Sequence, residues 1–317
     1  MKSIASAPGK VILFGEHFVV YGTKAILCSI DKRIKVTSQI IDEKKISIKS
    51  SVGNEEINID SLSAINESKT ELTPFVYLAT HALKTFKKNV GIEIKIESEI
   101  PPGIGLGSSS ASCVAAAASI TGLFEKLSGE EILKLAIEAE RTIFKNTSGA
   151  DCSVCTFGGL AQYDIKNGFK KINSKADFDL VIANSKQSHI TSEIVEKVRR
   201  FRENNEDLFV SLYEQESSIV ENALTALEKN NLPALGSLMS ENQILLERIG
   251  VSTEKLNFLV KEAKKTSFGA KITGAGGGGC ITALTDKSNL GQTLVNLSNH
   301  GESFSAKVDY KGLLDTF

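Results

Sequence analysis

The sequence predicts an α+β protein made of two domains of different character. The first, residues 1–170, is rich in strands, because apolar and polar residues alternate there repeatedly. The second, residues 171–317, is rich in helices, because its apolar residues recur three and four positions apart. Strands and helices do not follow each other with regular βαβ spacing, which favours α+β over a doubly wound sheet.

Length and composition agree with this fold class and exclude others. The chain has 317 residues, 41% of them apolar, enough for two domains with a substantial core. Its 37 basic and 38 acidic residues nearly cancel, so neither nucleic acid nor a membrane surface is an expected partner. The sequence shows neither a signal peptide nor a long apolar segment, so a cytoplasmic protein is expected. Its helix-rich faces leave a homodimer open.

The strands and helices of the first domain can be placed from local patterns. An apolar run at residues 11–14 and period-two alternation near residues 34–40, 46–48 and 92–96 predict strands. Three helices are predicted. One begins with Thr73 as N-cap and Pro74 as first residue, one covers residues 111–123, and one begins at Ser128 with Glu131 completing a capping box.

The second domain reads as a strand, four helices and a final strand–helix–strand unit. The predicted elements are a strand at 178–182, helices near 191–202, 207–228, 232–248 and 253–266, a strand at 280–284, a helix near 288–297 and a strand near 304–308.

The cysteines do not indicate a disulfide framework, since their number is odd and the chain is long. The pair Cys152 and Cys155 forms a CxxC, for which a metal or redox site must be weighed. Zinc usually takes four ligands, and no second CxxC or histidine pair lies near it, so buried apolar roles are favoured.

A first glycine cluster follows a predicted strand and opens a predicted helix. Its candidate ligand-binding residues are Pro102, Gly103, Ile104, Gly105, Leu106, Gly107, Ser108, Ser109 and Ser110. It is neither a Walker A loop nor a GxGxxG fingerprint. Glycines still allow close approach of the backbone, and free N–H groups at a helix N-terminus attract anions. The stretch therefore predicts a phosphate site, the alternative being a flexible loop before a buried helix.

A second glycine cluster, at residues 274–279, lies between strand-like segments. So many glycines are costly in backbone entropy, and a linker is not expected inside a domain dense in secondary structure. We expect this loop to pack closely against another loop or a ligand.

Four charged or polar side chains stand out as candidates. Lys10 and His17 flank an apolar stretch near the N-terminus, although a surface lysine and a structural histidine are the ordinary interpretations. Glu140 lies in an apolar helical stripe and needs a cation, a metal or several donors; a structural salt bridge is the alternative. Asp151 follows in a predicted loop before a strand, where it caps a turn or reaches the same cavity as Glu140.

Together these segments resemble the GHMP kinase superfamily, over nearly the whole chain and with three motifs in the expected order. The stretch from Gly15 to Gly22, Gly-Glu-His-Phe-Val-Val-Tyr-Gly, has the form found in the mevalonate-phosphorylating branch. Galactokinases usually carry an acidic Asp-Tyr after the Glu-His, and homoserine kinases lack this run. The resemblance implies a two-domain fold, with a ribosomal-protein-like N-terminal domain and a ferredoxin-like C-terminal domain.

The resemblance also implies an activity and a set of roles. ATP with Mg²⁺ would phosphorylate mevalonate, with the first glycine cluster around the ATP phosphates. Asp151 would be the base and Lys10 its electrostatic partner. The remaining implied roles are Mg²⁺ ligation by Ser109 and Glu140, mevalonate contact by Glu16, His17 and Thr191, and support of the phosphate loop by Gly274, Gly276 and Gly277.

One departure and several alternatives remain. Many relatives have a proline where this chain has Thr147, which leaves the rigidity of the loop before Asp151 and the identity of the acceptor open. Phosphomevalonate, homoserine or a sugar is an alternative acceptor. A decarboxylase is disfavoured, because those relatives generally lack the combination of Lys10 with Glu140. An inactive regulator on the same fold would be expected to have damaged motifs, and Lys10, Ser109, Glu140 and Asp151 are all present.

Overall fold

The structure is a computed structural model that describes residues 1–60, 70–101, 103–174, 176–188 and 190–316. Within these ranges the chain forms two β-sheets with helices packed on them. The change from the first sheet to the second lies between residues 172 and 179, and the last strand returns to the first sheet. The two parts are therefore tied together at both ends of the second one.

The first part contains seven of the described strands and four of the described helices. The strands are β1 (Lys2–Phe14), β2 (Ala25–Ile41), β3 (Lys45–Ser50), β4 (Gly53–Asn58), β5 (Gly91–Ser98), β6 (Leu160–Asp164) and β7 (Gly168–Ile172). The helices are α1 (Thr73–Thr85), α2 (Ser108–Thr121), α3 (Gly129–Arg141) and α4 (Ala150–Phe157), and a short 3-10 turn covers Phe18–Tyr21.

The second part is dominated by helices, as the sequence predicts. Its strands are β8 (Asp179–Asn184), β9 (Gly269–Thr273), β10 (Cys280–Thr285) and β11 (Ser303–Lys307), followed by β12 (Leu314–Thr316) in the first sheet. Its helices are α5 (Thr191–Asn204), α6 (Glu206–Glu228), α7 (Leu232–Arg248), α8 (Glu254–Ala263) and α9 (Leu290–Ser298).

The first sheet has the order β12-β1-β2-β5-β3-β4, with β6 and β7 branching from β2. Its long strand β2 pairs with β6 through residues 25–28 and with β5 through residues 34–41. The β1–β2 register shifts between Pro8 and Gly9, directly before Lys10. Such a shift bends a strand and re-aims its side chains, which places Lys10 differently from an uninterrupted strand.

Helix α2 is the centre of the first part. It packs on β1 and β2 and against α3 and α4, and every residue from Ser110 to Thr121 is buried. The alanines at 115–118 keep the helix slim, so that sheet and neighbouring helices approach it closely. This packing fixes the direction of its N-terminus, at which the first glycine cluster lies.

The second sheet is antiparallel throughout, with the order β11-β8-β10-β9. Helices α7, α8 and α9 pack on this sheet, and α6 packs on α7. Contacts of β1 with β9 and with α7 join the two parts. The second glycine cluster connects β9 to β10, so it lies at this junction.

Several predicted boundaries agree with the structure, and two local predictions are wrong. The capping box of Ser128 and Glu131 is confirmed, with both reciprocal hydrogen bonds present. Helix α1 has Leu72 as N-cap, so Thr73 is its first residue. The stretch from residue 150 to 157 is helix α4, whereas the sequence predicts a loop and a strand. Its Cys, Val and Thr residues favour strands intrinsically, and tertiary packing of a buried face overrides that preference.

All five cysteines are free and buried, which confirms the apolar interpretation of these side chains. Burial raises the pKa of the Cys152 and Cys155 thiols well above the usual range, so both stay protonated. In the ranges that the structure describes, three or more His, Cys, Asp or Glu side chains never group so that they alone could hold a metal ion. Nor does a helix in these ranges combine the length and apolarity needed to cross a membrane.

Candidate active site

Lys10 and Asp151 are brought together although 141 positions separate them in the sequence. The Lys10 ammonium lies 3.0 Å from Asp151 Oδ2, and the backbone N–H of Lys10 donates to Leu106 O at 2.9 Å. One residue of β1 thus contacts both the first glycine cluster and the start of α4. The Lys10 side chain is buried, whereas that of Asp151 is 35% exposed.

Asp151 owes its position to the start of helix α4. Gly149 precedes the helix with a left-handed φ of 77°, and Asp151 is the second helical residue. A carboxylate in the first turn interacts favourably with the helix dipole, and it leaves one side open toward solvent here. The arrangement offers a carboxylate that is held by a lysine and accessible to a hydroxyl group.

The aliphatic part of Lys10 lies against Gly107. A methyl group added at Gly107 would lie 2.7 Å from Lys10 Cγ, closer than carbon atoms pack, and Gly107 has a φ of 71°. Only glycine satisfies both conditions without displacing Lys10. This explains why the third glycine of the first cluster is needed at this position.

The first glycine cluster exposes its glycine backbone and buries its apolar side chains. Ile104 and Leu106 are in the core, whereas Gly103 is exposed and Gly105 and Gly107 are half-buried. Ser108 and Ser109 begin α2 and are also half-buried. Pro102, predicted as part of this site, lies outside the described residues. The loop is therefore anchored in the core beside the free N–H groups of a buried helix.

Glu140 is buried and accepts hydrogen bonds from neutral groups. Ser110 Oγ donates to its Oε1, Thr147 Oγ1 donates to its Oε2, and the Cys152 thiol lies 3.7 Å from Oε2. The sequence resemblance points to Ser109 as the serine next to Glu140, whereas the structure places Ser110 in contact. None of the described lysine, arginine or histidine side chains lies within salt-bridge distance of Glu140. Among the described residues, the alternative that Glu140 forms a structural salt bridge is therefore wrong.

Thr147 stands where many relatives have proline, and the structure gives it a specific contact. Its hydroxyl donates to Glu140 and accepts the Gly149 N–H at 3.3 Å. Proline has neither a hydroxyl nor a backbone donor. In this chain the loop before α4 is thus tied to Glu140 by a side-chain hydrogen bond.

His17 has an unusual backbone conformation and a defined tautomer. Its φ is 63°, and its Nε2 lies 2.8 Å from Ala275 O in the second glycine cluster. A carbonyl oxygen only accepts, so Nε2 carries the hydrogen and Nδ1 is an acceptor. Burial lowers the pKa of His17 to about 4, so the ring is neutral near pH 7.

Glu16 is not at an open surface, contrary to the predicted contact with the acceptor. Its carboxylate forms an ion pair with Lys271, and both side chains are essentially inaccessible to solvent. The N–H of the preceding Gly15 donates to Glu216 Oε1 at 2.8 Å. Glu16 therefore contacts the second part of the molecule, which corrects the prediction of direct acceptor contact.

The second glycine cluster adjoins the first through Gly274. A methyl group added at Gly274 would lie 3.5 Å from Gly105 O, so the two backbones are neighbours. Thr273 accepts the Ile12 N–H at 2.9 Å and fixes this end of the loop to β1. The other two predicted supporting residues, Gly276 and Gly277, pack on Val251 instead.

Thr191 is the first residue of α5 and is exposed, so its contact with an acceptor stays a prediction. The sequence does not single out Lys271 or Glu216, and it assigns Ser110 to the first glycine cluster without predicting its contact with Glu140. Glu216 could have been found by the criterion that found Glu140, because it occupies an apolar stripe of α6 with Leu212 and Val220. Lys271 carries no comparable pattern, since the residues around it form a short strand.

The chain is similar to known proteins in both sequence and fold. Family models described as GHMP kinases N terminal domain and GHMP kinases C terminal match residues 75–159 and 223–303. Mevalonate kinase of Pyrococcus furiosus is 39% identical, over 99% of this chain and 98% of that protein. The crystal structure of Methanococcus jannaschii mevalonate kinase superposes with a TM-score of 0.84 at 28% identity, over 96% of this chain and 98% of that one. The L. major mevalonate kinase in complex with R-mevalonate has a TM-score of 0.82 at 26% identity, over 96% and 95%.

Proposed function

This chain belongs to the GHMP kinase family, and we propose that it transfers the γ-phosphoryl group of ATP to the 5-hydroxyl of mevalonate. Relatives named mevalonate kinase that match nearly the full length support this acceptor. The observation that carries the proposal is the contact of Lys10 with Asp151 beside the first glycine cluster. It joins a hydroxyl-accessible carboxylate to a phosphate-binding element in one place.

The first glycine cluster and the N-terminus of α2 bind the ATP phosphates in this proposal. Unpaired N–H groups in the first turn of a helix and the helix dipole favour an anion. Burial of Ile104 and Leu106 holds the loop in place before the nucleotide arrives. Gly274 of the second glycine cluster lies next to Gly105, so the two loops adjoin at this point.

Mg²⁺ fits the donors around Glu140. In kinases Mg²⁺ typically takes one or two carboxylates together with substrate phosphate oxygens. Glu140 is a buried carboxylate that accepts hydrogen bonds from the neutral side chains of Ser110 and Thr147, and Ser110 adds a hydroxyl oxygen. We assign Glu140 as the carboxylate ligand, with a serine hydroxyl beside it from Ser109 or Ser110. When bound, the ion neutralises negative charge on the phosphates during transfer.

Asp151 and Lys10 act on the acceptor hydroxyl. Asp151 accepts the hydrogen of the hydroxyl and orients its oxygen toward the γ-phosphorus. Lys10 holds Asp151 in place and supplies positive charge near the transferred group. Phosphoryl transfer has a loose transition state, so orientation and charge matter more than base strength. His17 is neutral, with Nδ1 as an acceptor, and in this proposal it receives a hydrogen bond from a hydroxyl of mevalonate.

The experiment that tests this function measures ADP release with a panel of acceptors. Mevalonate, phosphomevalonate, homoserine and galactose are each supplied with ATP and Mg²⁺ at equal concentrations. We expect turnover with mevalonate and at most slight turnover with the others. Turnover restricted to another acceptor would reassign the substrate, and ATP binding without any turnover would point to a regulator on the same fold.

A further inference from the structure

Three consecutive residues of the stretch from Gly15 to Gly22 are each held by a different element of the second part. The Gly15 N–H donates to Glu216 Oε1 of α6 at 2.8 Å, and Glu16 pairs with Lys271 of β9. His17 Nε2 donates to Ala275 O at 2.8 Å. The turn that contains His17 is thus held across the junction of the two parts, at three successive positions.

The side chains that hold this turn form a closed cluster of polar and charged groups. Lys271 pairs with the Glu16 carboxylate, interacts electrostatically with the Glu216 carboxyl group and donates to Ile272 O at 2.8 Å. Asn242 of α7 donates to the second oxygen of Glu216. We define Glu16, Lys271, Glu216 and Asn242 as the junction cluster.

The junction cluster is energetically unfavourable compared with apolar residues in the same core position. A buried ion pair often stabilises a fold less than apolar residues of similar volume, because both charges lose their hydration. Burial raises the pKa of Glu16 and lowers that of Lys271, the directions that report this loss. Stability alone therefore gives no reason for these side chains at the junction.

The backbone of His17 supplies a reason. A non-glycine residue at a φ of 63° is strained and persists only when its surroundings determine it. The flanking Gly15 and Glu16 are fixed by the cluster, so the cluster opposes relaxation of His17. If the turn relaxed, the ring would leave Ala275 and its Nδ1 would point elsewhere.

We propose that Lys271 and Glu216 are positioning residues that hold the Gly15–His17 turn and thereby set the affinity for the acceptor. This inference rests on the proposed function, since it takes mevalonate as the acceptor that His17 meets. Neither residue touches the Lys10–Asp151 contact in the described structure. Loss of the cluster should accordingly raise the KM for mevalonate much more than it lowers kcat.

The test compares Lys271→Met and Glu216→Leu with the wild type. We expect the KM for mevalonate to rise on the order of tenfold or more, as misplacement of a binding group predicts. The kcat and the KM for ATP should change less than about twofold, since uniform binding alone is lost. A fall in kcat at an unchanged KM for mevalonate would overturn the proposal. A lower melting temperature with unchanged kinetics would overturn it as well.

A matched control lies on the same helix. Glu221 of α6 pairs with Lys24 at 2.6 Å, so it also bridges the two parts, but at an exposed position. Glu221→Gln should leave both KM values unchanged, because an exposed pair contributes little. If Glu221→Gln raised the KM for mevalonate as much as Glu216→Leu does, loss of contacts at the junction in general would explain the effect. That result would overturn the specific role of the junction cluster.

A conservative variant keeps the test decisive if the apolar variants do not fold. Glu216→Gln retains an oxygen that accepts the Gly15 N–H, and its amide can donate to the Asn242 oxygen once that amide turns. It should bind mevalonate as the wild type does at pH 7. Above pH 8 the wild type gains a second negative charge that interacts with Glu16; Lys271 interacts with both carboxylates, and Lys10 interacts more weakly with Glu16. The KM of the wild type should then rise while that of the variant stays level; identical profiles would overturn the role of Glu216.

The proposed function is judged separately by the wild type. Its turnover of mevalonate is measured before any variant, and no turnover would contradict the function itself. Wild-type turnover with variants of unchanged KM would contradict only the positioning role.

Discussion

Among the lysine–carboxylate contacts that join distant parts of the described chain, two near the first glycine cluster and the His17 turn differ mainly in burial. In one, Lys10 meets Asp151, whose side chain is 35% exposed. In the other, Lys271 meets Glu16, and these side chains are 0% and 1% exposed. The same pair of functional groups thus occurs once at an accessible surface and once in a closed interior.

Burial decides what each pair can do. An accessible carboxylate can receive a hydrogen from a substrate and exchange one contact for another. A closed pair has no substrate to meet, and removing one partner leaves an uncompensated charge that costs about 3–5 kcal/mol. The first pair is suited to chemistry and the second to holding backbone in place, although residue types alone do not distinguish them.

The largest effect should come from the accessible pair. Asp151→Asn keeps the shape but cannot accept the hydroxyl hydrogen as a carboxylate does. We expect kcat to fall by about 10²–10³-fold, the range for removal of one acid–base or electrostatic group. ATP affinity should hold, since Asp151 does not contact the glycine cluster in the described structure. Steady-state kinetics with nucleotide-binding measurements check this.

The exposed Asp177, which pairs with Lys287 at 3.6 Å, provides the matched control. Asp177→Asn should retain wild-type kcat. If the kcat of Asp151→Asn were close to that of the wild type, the Lys10–Asp151 pair would have no role in the chemistry. Its proposed functional difference from the buried Lys271–Glu16 pair would then be wrong.

The next effect concerns the lysine of the accessible pair. Gly107→Ala places a methyl group 2.7 Å from Lys10 Cγ, so the lysine must move away from Asp151. We expect kcat to fall on the order of tenfold to a hundredfold, as for a misplaced catalytic group. Gly103→Ala shares the positive φ, at 73°, but its methyl group meets nothing within 4 Å. It should lower kcat much less, and equal losses would attribute the effect to backbone strain rather than to Lys10.

Some features of this molecule follow from local patterns in its sequence. Glu140 stands out because its charge interrupts an apolar helical stripe, and its burial is confirmed. The capping box at Ser128 depends only on residues three apart, and it too is confirmed. Local patterns of this kind are written in neighbouring residues, and the two-domain class follows from their sum.

Contacts between residues far apart in the chain cannot be predicted from patterns among neighbouring residues. Lys271 and Glu16 are 255 positions apart, and nothing near either residue identifies its partner. Glu16 adjoins a histidine in a recognisable motif, so a ligand contact is the natural prediction, and the structure shows an interior ion pair instead. Helix α4 is missed for a related reason, since packing against α2 and α3 overrides the strand preference of its residues.

A third prediction addresses the closed cluster through its pH dependence. Burial, and secondarily Glu16, raise the pKa of Glu216 to about 8 in the folded chain, from an ordinary value of 4.5. The folded state then binds a proton more tightly than the unfolded state. This contribution to stability is complete below pH 4.5 and is lost as pH rises to 8. Between these limits the free energy of unfolding should fall by about 1.4 kcal/mol per pH unit.

Glu216→Gln removes this titration and keeps a neutral side chain of the same shape. The difference in unfolding free energy, wild type minus variant, should therefore decrease steadily from pH 5 to pH 8 in denaturant titrations. The Lys10–Asp151 contact is unchanged in both proteins, so it cancels from the difference. If this difference in unfolding free energy stayed constant from pH 5 to pH 8, Glu216 would be ionised throughout the range. The carboxyl group of Glu216 would then be charged in the folded chain, like that of Asp151 in the accessible pair.

The smallest effect should come from a residue between the two extremes. Glu140 is buried like the closed cluster, yet its partners Ser110 and Thr147 are neutral, so its charge stays available to a cation. Thr147→Val removes one donor, worth about 1.5–3 kcal/mol when the acceptor is charged. That loss lets the Glu140 carboxylate turn away from its present position and raises the Mg²⁺ concentration needed for half-maximal rate by a few fold. Thr142→Val is the control, because the Thr142 hydroxyl donates to Ala139 O and not to Glu140.

The sign of this last effect separates two roles for Thr147. If the threonine orients Glu140, its loss weakens both the Mg²⁺ dependence and the rise in melting temperature that Mg²⁺ with ATP produces. If it mainly satisfies the carboxylate in the absence of metal, its loss leaves Glu140 less neutralised and strengthens the Mg²⁺ response. The Thr147 hydroxyl also accepts the Gly149 N–H, so it connects Glu140 to the start of α4, where Asp151 lies. This contact favours the first role, in which Thr147 orients Glu140. A stronger Mg²⁺ response in Thr147→Val would reverse that assignment.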